Sequence, residues 1–152
     1  MDAGKKQKGR RSMKTLVASV VSLSVMCGFC AATDFALVDG DVVAAVVLPQ
    51  TPDESTRLAA AELTNYVFKI TGRQMPVVTR GNAANAAPEV VIGTLKALSD
   101  VPQSIRKRLD ATDNPEAACT GTDGRTLWIV GKDEVAELYA TYHFLESKLG
   151  VR

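Results

Sequence analysis

The sequence predicts an α+β domain in which a mixed β-sheet carries two main helices on one face. Two observations favour this class. Short valine-rich runs are separated by turn residues, and two longer stretches repeat apolar residues at three- and four-residue steps. The chain has 152 residues, of which 46% are hydrophobic and 23% charged, as in one ordinary globular domain. A glycosidase barrel needs roughly 250 residues, so this chain is too short to contain one.

The first 32 residues have the layout of a secretory signal peptide. Six basic residues within positions 5–14 precede the apolar run Thr15–Cys30, and small residues follow it up to a cleavage site near Ala32. Translation from either Met1 or Met13 preserves this layout. A retained membrane anchor is the alternative, although the run is shorter than the roughly 20 residues that span a bilayer.

Cleavage leaves an acidic domain over residues 33–152. Six of the 18 basic residues and one of the 17 acidic residues lie in the leader, so 12 basic and 16 acidic residues remain. This balance gives no electrostatic basis for nucleic-acid binding. We expect a secreted or periplasmic protein with no stable membrane span after cleavage. Cys119 is then the only cysteine, and we interpret it as a small, semi-buried strand residue.

The domain is predicted to begin with a β-hairpin and a helix. Asp39-Gly40 is a turn dipeptide between the runs Phe35–Val38 and Val42–Leu48. The helix extends from about Asp53, a good N-terminal cap, to Thr71, just before a glycine that can end it. Its expected apolar stripe consists of Leu58 or Ala59, Leu63, Tyr66, Val67 and Ile70.

Shorter elements are predicted in the middle of the chain. Two strands, Met75–Thr79 and Glu89–Gly93, are separated by a loop rich in glycine, asparagine and alanine. A helix over about Pro102–Leu109 follows, because proline is favoured at the first helical position.

A second hairpin and a last helix complete the domain. Asp123-Gly124 separates the strands Ala117–Thr122 and Thr126–Val130. The helix begins near Asp133 and ends at Gly150. We expect it to bury one apolar stripe, formed by Val135, Leu138, Tyr142, Leu145 and Leu149.

Several strands are apolar on both faces, which indicates that both faces of the sheet are covered. Two long helices account for one face. The Pro102–Leu109 helix can cover part of the second face. We expect the remainder to come from a partner domain outside this chain.

Few residues suggest chemistry. His143 and Glu146 have a spacing that can serve a metal, but zinc sites need three or four ligands, so we interpret both as surface residues and expect no cofactor. No pair of acidic residues has a setting that indicates glycosidic catalysis. Trp128 is interpreted as a packing residue inside an apolar strand, with a sugar-stacking platform as the alternative.

Two segments carry a family resemblance. AAAELTNYVFKITGRQMPVV (Ala59–Val78) and ELYATYHFLESKLGVR (Glu137–Arg152), with the strands EVVIG and TLWIVG between them, resemble one type of domain. Domains of that type occur as the N-terminal non-catalytic domain of bacterial α-glucuronidases and as the second domain of family 20 β-hexosaminidases. A related uncharacterised bacterial domain family is of the same type. The resemblance covers essentially the whole mature chain.

The resemblance implies an accessory domain of a secreted glycoside hydrolase that degrades polysaccharide, with glucuronoxylan or amino-sugar glycans as candidate substrates of the parent enzyme. The implied partner is a catalytic barrel downstream of Arg152, which would make this chain a fragment without the catalytic acids. Arg152 and Trp128 are the residues we expect near an interdomain or glycan contact. A free-standing secreted glycan-binding module is the alternative.

Overall fold

A computed structural model of this protein describes residues 35–81 and 88–151. The predicted signal peptide at 1–32 and Arg152 lie outside the described residues. None of the described helices is long and apolar enough to cross a membrane. The elements are β1 (Val38–Asp39), β2 (Val42–Val43), β3 (Ala45–Leu48), α1 (Glu54–Thr71), β4 (Val77–Thr79), β5 (Glu89–Thr94), α2 (Gln103–Asp110), β6 (Ala118–Asp123), β7 (Thr126–Gly131) and α3 (Glu134–Leu149).

The first hairpin is present but shorter than predicted. β1 and β2 pair over two residues each, and Gly40 between them has a φ of +56°, which glycine adopts without steric cost. The prediction of one continuous strand over Val42–Leu48 is wrong. Its second half, β3, leaves the hairpin and joins the main sheet, because its side chains are mostly buried and fit a position between two other strands.

The main sheet is mixed, which confirms the predicted α+β class. It has five strands in the order β4-β3-β5-β7-β6, and every neighbouring pair is parallel except β6 and β7, the second predicted hairpin. Adjacent residues of a strand point to opposite faces. The register therefore forms two rows that face opposite sides of the sheet, Val46, Val90 and Leu127 in one and Val47, Val91 and Trp128 in the other.

Both long helices begin and end where the sequence predicts. The side chains of Asp53 and Asp133 each accept a 2.7 Å hydrogen bond from the backbone amide three residues further on. Gly72 and Gly150 end α1 and α3 in the left-handed conformation, with φ of +70° and +68°. Each aspartate cap contributes about 1 kcal/mol to the stability of its helix.

α1 and α3 pack side by side on the sheet face that carries Val46, as predicted for the two main helices. Leu63, Val67 and Leu145 are among the helix residues that are almost completely buried there. The predicted stripe of α1 is correct from Ala59, the second of the two candidates for its first position, to Val67. Leu58 and, at the other end of the stripe, Ile70 are exposed.

The second sheet face is covered by the chain itself. α2 and the segment before it place Leu98, Val101, Ile105 and Leu109 over the row that contains Trp128, and all four side chains are buried. Pro102 immediately precedes α2 rather than forming its first residue. The expected contribution of this helix to covering the second face is therefore confirmed. The expectation that a partner domain supplies the remainder is wrong, because this short amphipathic helix and its leading loop complete the second layer.

The second layer can be tested at Leu109, which is 1% exposed. We expect Leu109→Ala to lower the free energy of unfolding by about 2–5 kcal/mol, because the truncation leaves a cavity under α2. Urea denaturation measures this change. The control is Lys107→Ala, an exposed change on the same helix that should stay within about 0.5 kcal/mol of the parent protein. Equal effects of the two substitutions would contradict a packed second layer.

The buried face of α3 is rotated from the predicted one and shares with it Leu145, which is buried, and Leu138 and Leu149, which pack partly buried against the core. Its buried side chains are mainly small or polar, while Val135 and Tyr142 of the expected stripe are 49% and 36% exposed. Leu145 is the one residue of that stripe that is fully buried. The residues of α3 that pack inward are Ala136, Glu137, Ala140, Thr141, Phe144 and Leu145.

Gly131 explains this choice of face. It ends β7 just before α3, and a Cβ atom added there would lie 2.8 Å from Glu137 Cα and closer still to Glu137 N. The first turn of α3 therefore rests directly on the backbone of the sheet. Only a face with a small residue such as Ala136 can approach so closely in the first turn, so Val135 lies away from the sheet, while the larger buried residues Phe144 and Leu145 pack further along the helix.

Gly131→Ala tests this contact. The added methyl meets backbone atoms that cannot rotate away, so we expect a loss of at least about 1–3 kcal/mol in the free energy of unfolding, read from urea or thermal denaturation. Gly121→Ala on β6 is the matched control, because its new Cβ would lie at an ordinary contact distance of 3.6 Å from Ile105 Cδ1. Similar stabilities of the two variants would show that α3 has room to move.

Candidate functional site

The chain connections create a crevice at one edge of the main sheet. After β3 the chain crosses one face through α1 to reach β4, and after β5 it covers the opposite face through α2 on its way to β6. The two connections diverge between the neighbouring strands β3 and β5. In open sheets of parallel strands, such a divergence leaves a crevice at the carboxyl ends of the strands, and ligands bind there.

A cavity of about 260 Å³ lies at this position. We call it the carboxyl-edge crevice. Its wall comes from the residues that follow β3, β4 and β5, so three different strand ends position its side chains. The main residues that line it are Gln50, Arg80, Ala97, Leu98, Ser99 and Asp100.

Arg80 is the best-anchored polar residue of the crevice. Its backbone amide donates a 2.8 Å hydrogen bond to Leu48 O, which extends the pairing of β3 and β4 by one residue. Its guanidinium group forms an ion pair with Asp100 and lies 5.4 Å from the centre of the Trp128 ring. The Arg80 side chain is 30% exposed. Two separate contacts therefore fix the positively charged guanidinium group of Arg80 at the crevice.

Gly93 allows the apolar floor of the crevice to close over the end of β5. A Cβ atom at this position would lie 2.9 Å from Leu98 Cδ1 and 3.0 Å from Pro49 Cγ. Leu98 is 2% exposed and also contributes to the second core layer. The floor of the site and the packing under α2 are thus one continuous structure.

Trp128 is 5% exposed, so it packs in the second core layer as the sequence analysis favoured. Arg80 lies over its ring, and its Nε1 atom finds no hydrogen-bond partner among the described residues. The ring is not an open platform for a sugar. Arg152, the other predicted contact residue, lies outside the described residues.

A buried carboxyl group is the polar feature that sequence reasoning missed. Glu137 is fully buried in the first turn of α3, where Thr56 Oγ1 of α1 donates a 3.0 Å hydrogen bond to Glu137 Oε2. Glu137 Oε1 has no hydrogen-bond partner within the described part of the chain. A glutamate near the start of a helix is normally solvated, and its negative charge interacts favourably with the helix dipole. Its small neighbours Ala136 and Ala140 were the available sign of a closely packed face.

Burial raises the pKa of Glu137 to about 8 from an ordinary value of 4.5. Loss of solvation is the main cause, and the negative charges of Asp53 and Glu134 raise the pKa further, whereas the hydrogen bond from Thr56 lowers it. At neutral pH the folded protein therefore holds this carboxyl group mainly in its protonated form.

This pKa predicts how stability depends on pH. Between pH 4.5 and about 8 the folded state keeps a proton on Glu137 that the unfolded chain releases. The stabilisation from the raised pKa is complete below pH 4.5 and is lost as the pH rises to about 8, at up to about 1.4 kcal/mol per pH unit. Glu137→Gln preserves the acceptor for Thr56, so it should abolish this contribution to the slope.

The measurement is the free energy of unfolding in urea across this pH range, compared between the parent protein and Glu137→Gln. Glu146→Gln, an exposed change on the same helix, is the control and should leave the parent slope unchanged. Parallel pH profiles for the parent and Glu137→Gln would contradict a protonated buried carboxyl group.

The other candidate residues do not converge. His143 and Glu146 are exposed on α3, and Cys119 is half-buried on β6 as predicted, with its thiol 3.7 Å from Thr120 O. No group of three or more His, Cys, Asp or Glu side chains that could hold a metal ion occurs among the described residues.

A larger cavity of about 610 Å³ lies at the opposite end of the sheet. It is bounded by residues 35–38 and by the last turns of α1 and α3, and its lining is mainly apolar. Lys148 is the one charged residue that lines it among those described. Specific sites combine an apolar wall with several convergent polar groups, and the carboxyl-edge crevice meets that description better.

No known protein-family model matches this chain, and no curated protein matches it either.

Proposed function

We propose that this chain is a non-catalytic accessory domain of a secreted glycoside hydrolase, and that the outer face of α3 docks against the catalytic domain. The family resemblance of the two helix segments supports the class of enzyme, with glucuronoxylan or amino-sugar glycans as candidate substrates. The basic and apolar leader supports export. The α+β architecture, with α1 and α3 on one sheet face, agrees with the fold that the resemblance implies.

One observation carries the docking proposal, namely an apolar stripe on the outside of α3. Val135, Tyr139 and Tyr142 are 49%, 65% and 36% exposed. They follow each other at steps of four and three residues, so they lie on one face of the helix. This face is opposite the one that Ala136, Ala140 and Phe144 bury. We call these three residues the outer stripe.

The outer stripe has the composition of an interface. Aromatic residues are enriched at protein interfaces, where tyrosine buries a large apolar ring and keeps its hydroxyl group hydrogen-bonded. A helix that is apolar on two opposite faces is typical of a helix covered on both sides. The sheet covers one side of α3, and we assign the other side to the catalytic barrel.

Photo-crosslinking tests this assignment. A photoreactive phenylalanine analogue replaces Tyr139 in the protein made by its native organism, and crosslinked peptides are identified by mass spectrometry. We expect a product with a glycoside hydrolase barrel, either in the same polypeptide or in a separate chain. The control replaces Phe68 of α1, which is 48% exposed and lies outside the outer stripe, and it should give no barrel product.

Other crosslinking results would contradict the proposal. A product with a second copy of this chain would make the outer stripe a self-association surface. A product with an unrelated protein, or none at all, would separate the domain from glycoside hydrolases.

The free-standing glycan-binding module is the weaker alternative. Its support in the sequence is Trp128 as a stacking platform. In the structure, however, that ring lies under Arg80 and is 5% exposed. A glycan site on this domain has to use other residues.

A further inference from the structure

We propose that the carboxyl-edge crevice binds a small neutral ligand that carries several hydroxyl groups and has the size of one sugar ring. This inference does not depend on the docking of α3, because the residues of the outer stripe do not line the crevice. The volume of about 260 Å³ falls just below the range of about 300–1,000 Å³ that is typical of pockets for drug-sized ligands. The size therefore favours a single ring over a longer chain.

The charges of the crevice favour a neutral ligand. Arg80 and Asp100 are the charged residues among those that line it, and they form an ion pair with each other. An anion attracted to Arg80 would meet the Asp100 carboxylate, and a cation attracted to Asp100 would meet the guanidinium group. The paired charges cancel at a distance but still offer strong hydrogen bonds at close range.

The hydrogen-bonding groups suit adjacent hydroxyls. A guanidinium group has five N–H donors and a carboxylate accepts about four hydrogen bonds, so one ion pair leaves most of both capacities free. Asp100 is half-exposed, and Gln50 and Ser99 add an amide and a hydroxyl group to the rim. A hydroxyl group both donates and accepts, so two neighbouring hydroxyls can bridge Asp100 and Arg80 together.

The floor of the crevice suits the carbon face of a sugar. Ala97 provides exposed apolar surface between the polar groups, and the buried Leu98 supports it from below. Arg80 is already fixed by the Trp128 ring and by its backbone bond to β3, so it loses little freedom when a ligand binds. A site with an apolar floor and a fixed polar rim matches a pyranose or furanose ring.

The test is a titration of the full isotope-labelled chain, followed by amide NMR. The probes are D-xylose and N-acetyl-D-glucosamine, with inorganic phosphate and acetate as the charged comparisons. We expect at least one neutral sugar to give saturable shifts confined to amides at Gln50, Ala97, Ser99 and Asp100, with a Kd of about 1–20 mM, a weak affinity suited to a small ligand.

Two variants locate the site. Asp100→Asn preserves shape but removes the acceptor charge, and Ser99→Leu narrows the crevice. Each should weaken sugar binding by at least about tenfold. Asp113→Asn, at an exposed position outside the lining, should bind as the parent protein does. Unchanged thermal unfolding of both crevice variants would show that the fold is intact.

Three outcomes would overturn the proposal. These are no localised shifts with either sugar, equal or stronger saturable shifts with phosphate or acetate, and sugar binding that both crevice variants retain. None of them bears on the crosslinking of Tyr139, so the two proposals fail separately.

Discussion

The direct contact between the first turn of α3 and the end of β7 determines much of this structure. Gly131 leaves no room for a side chain beneath Glu137, so the helix must approach through its smallest residues. That approach removes a carboxyl group from solvent and pairs it with Thr56 of α1. It also leaves Val135, Tyr139 and Tyr142 on the outer face of α3. A buried acid and an exposed aromatic stripe are therefore two results of one close packing arrangement.

The second sheet face shows how a short element can complete a domain. α2 has only eight residues, yet together with its leading loop it covers the row from Val47 to Trp128. The same loop carries Leu98, Ser99 and Asp100 to the carboxyl ends of the strands. Core packing and the polar crevice thus share one segment of chain. A change that loosens this segment would alter the stability of the second layer and the geometry of the crevice together.

Local signals made the elements predictable from the sequence, and long-range packing determined the rest. Asp53, Asp133 and the glycines after both long helices mark helix ends through contacts within a few residues, and the Asp-Gly turns mark both hairpins. The buried face of α3 depends instead on Gly131 and on the neighbouring α1. The spacing of apolar residues within α3 gives no information about either contact. The pairing of Arg80 with Asp100 needs the order of strands in the sheet. The class of fold was therefore predictable, whereas the crevice and the buried Glu137 were not.

The two edges of the sheet have a consequence for the behaviour of the protein at high concentration. The outer strands of a sheet can act as templates on which foreign strands assemble into aggregates. β4 is only three residues long and follows Pro76, whose ring nitrogen carries no hydrogen to donate. β6 forms the opposite edge of the sheet, and the exposed end of this strand next to the hairpin turn is polar. The edge strand β4 of this valine-rich sheet is thus short and adjoins a proline, which limits the length over which a foreign strand could pair with that edge.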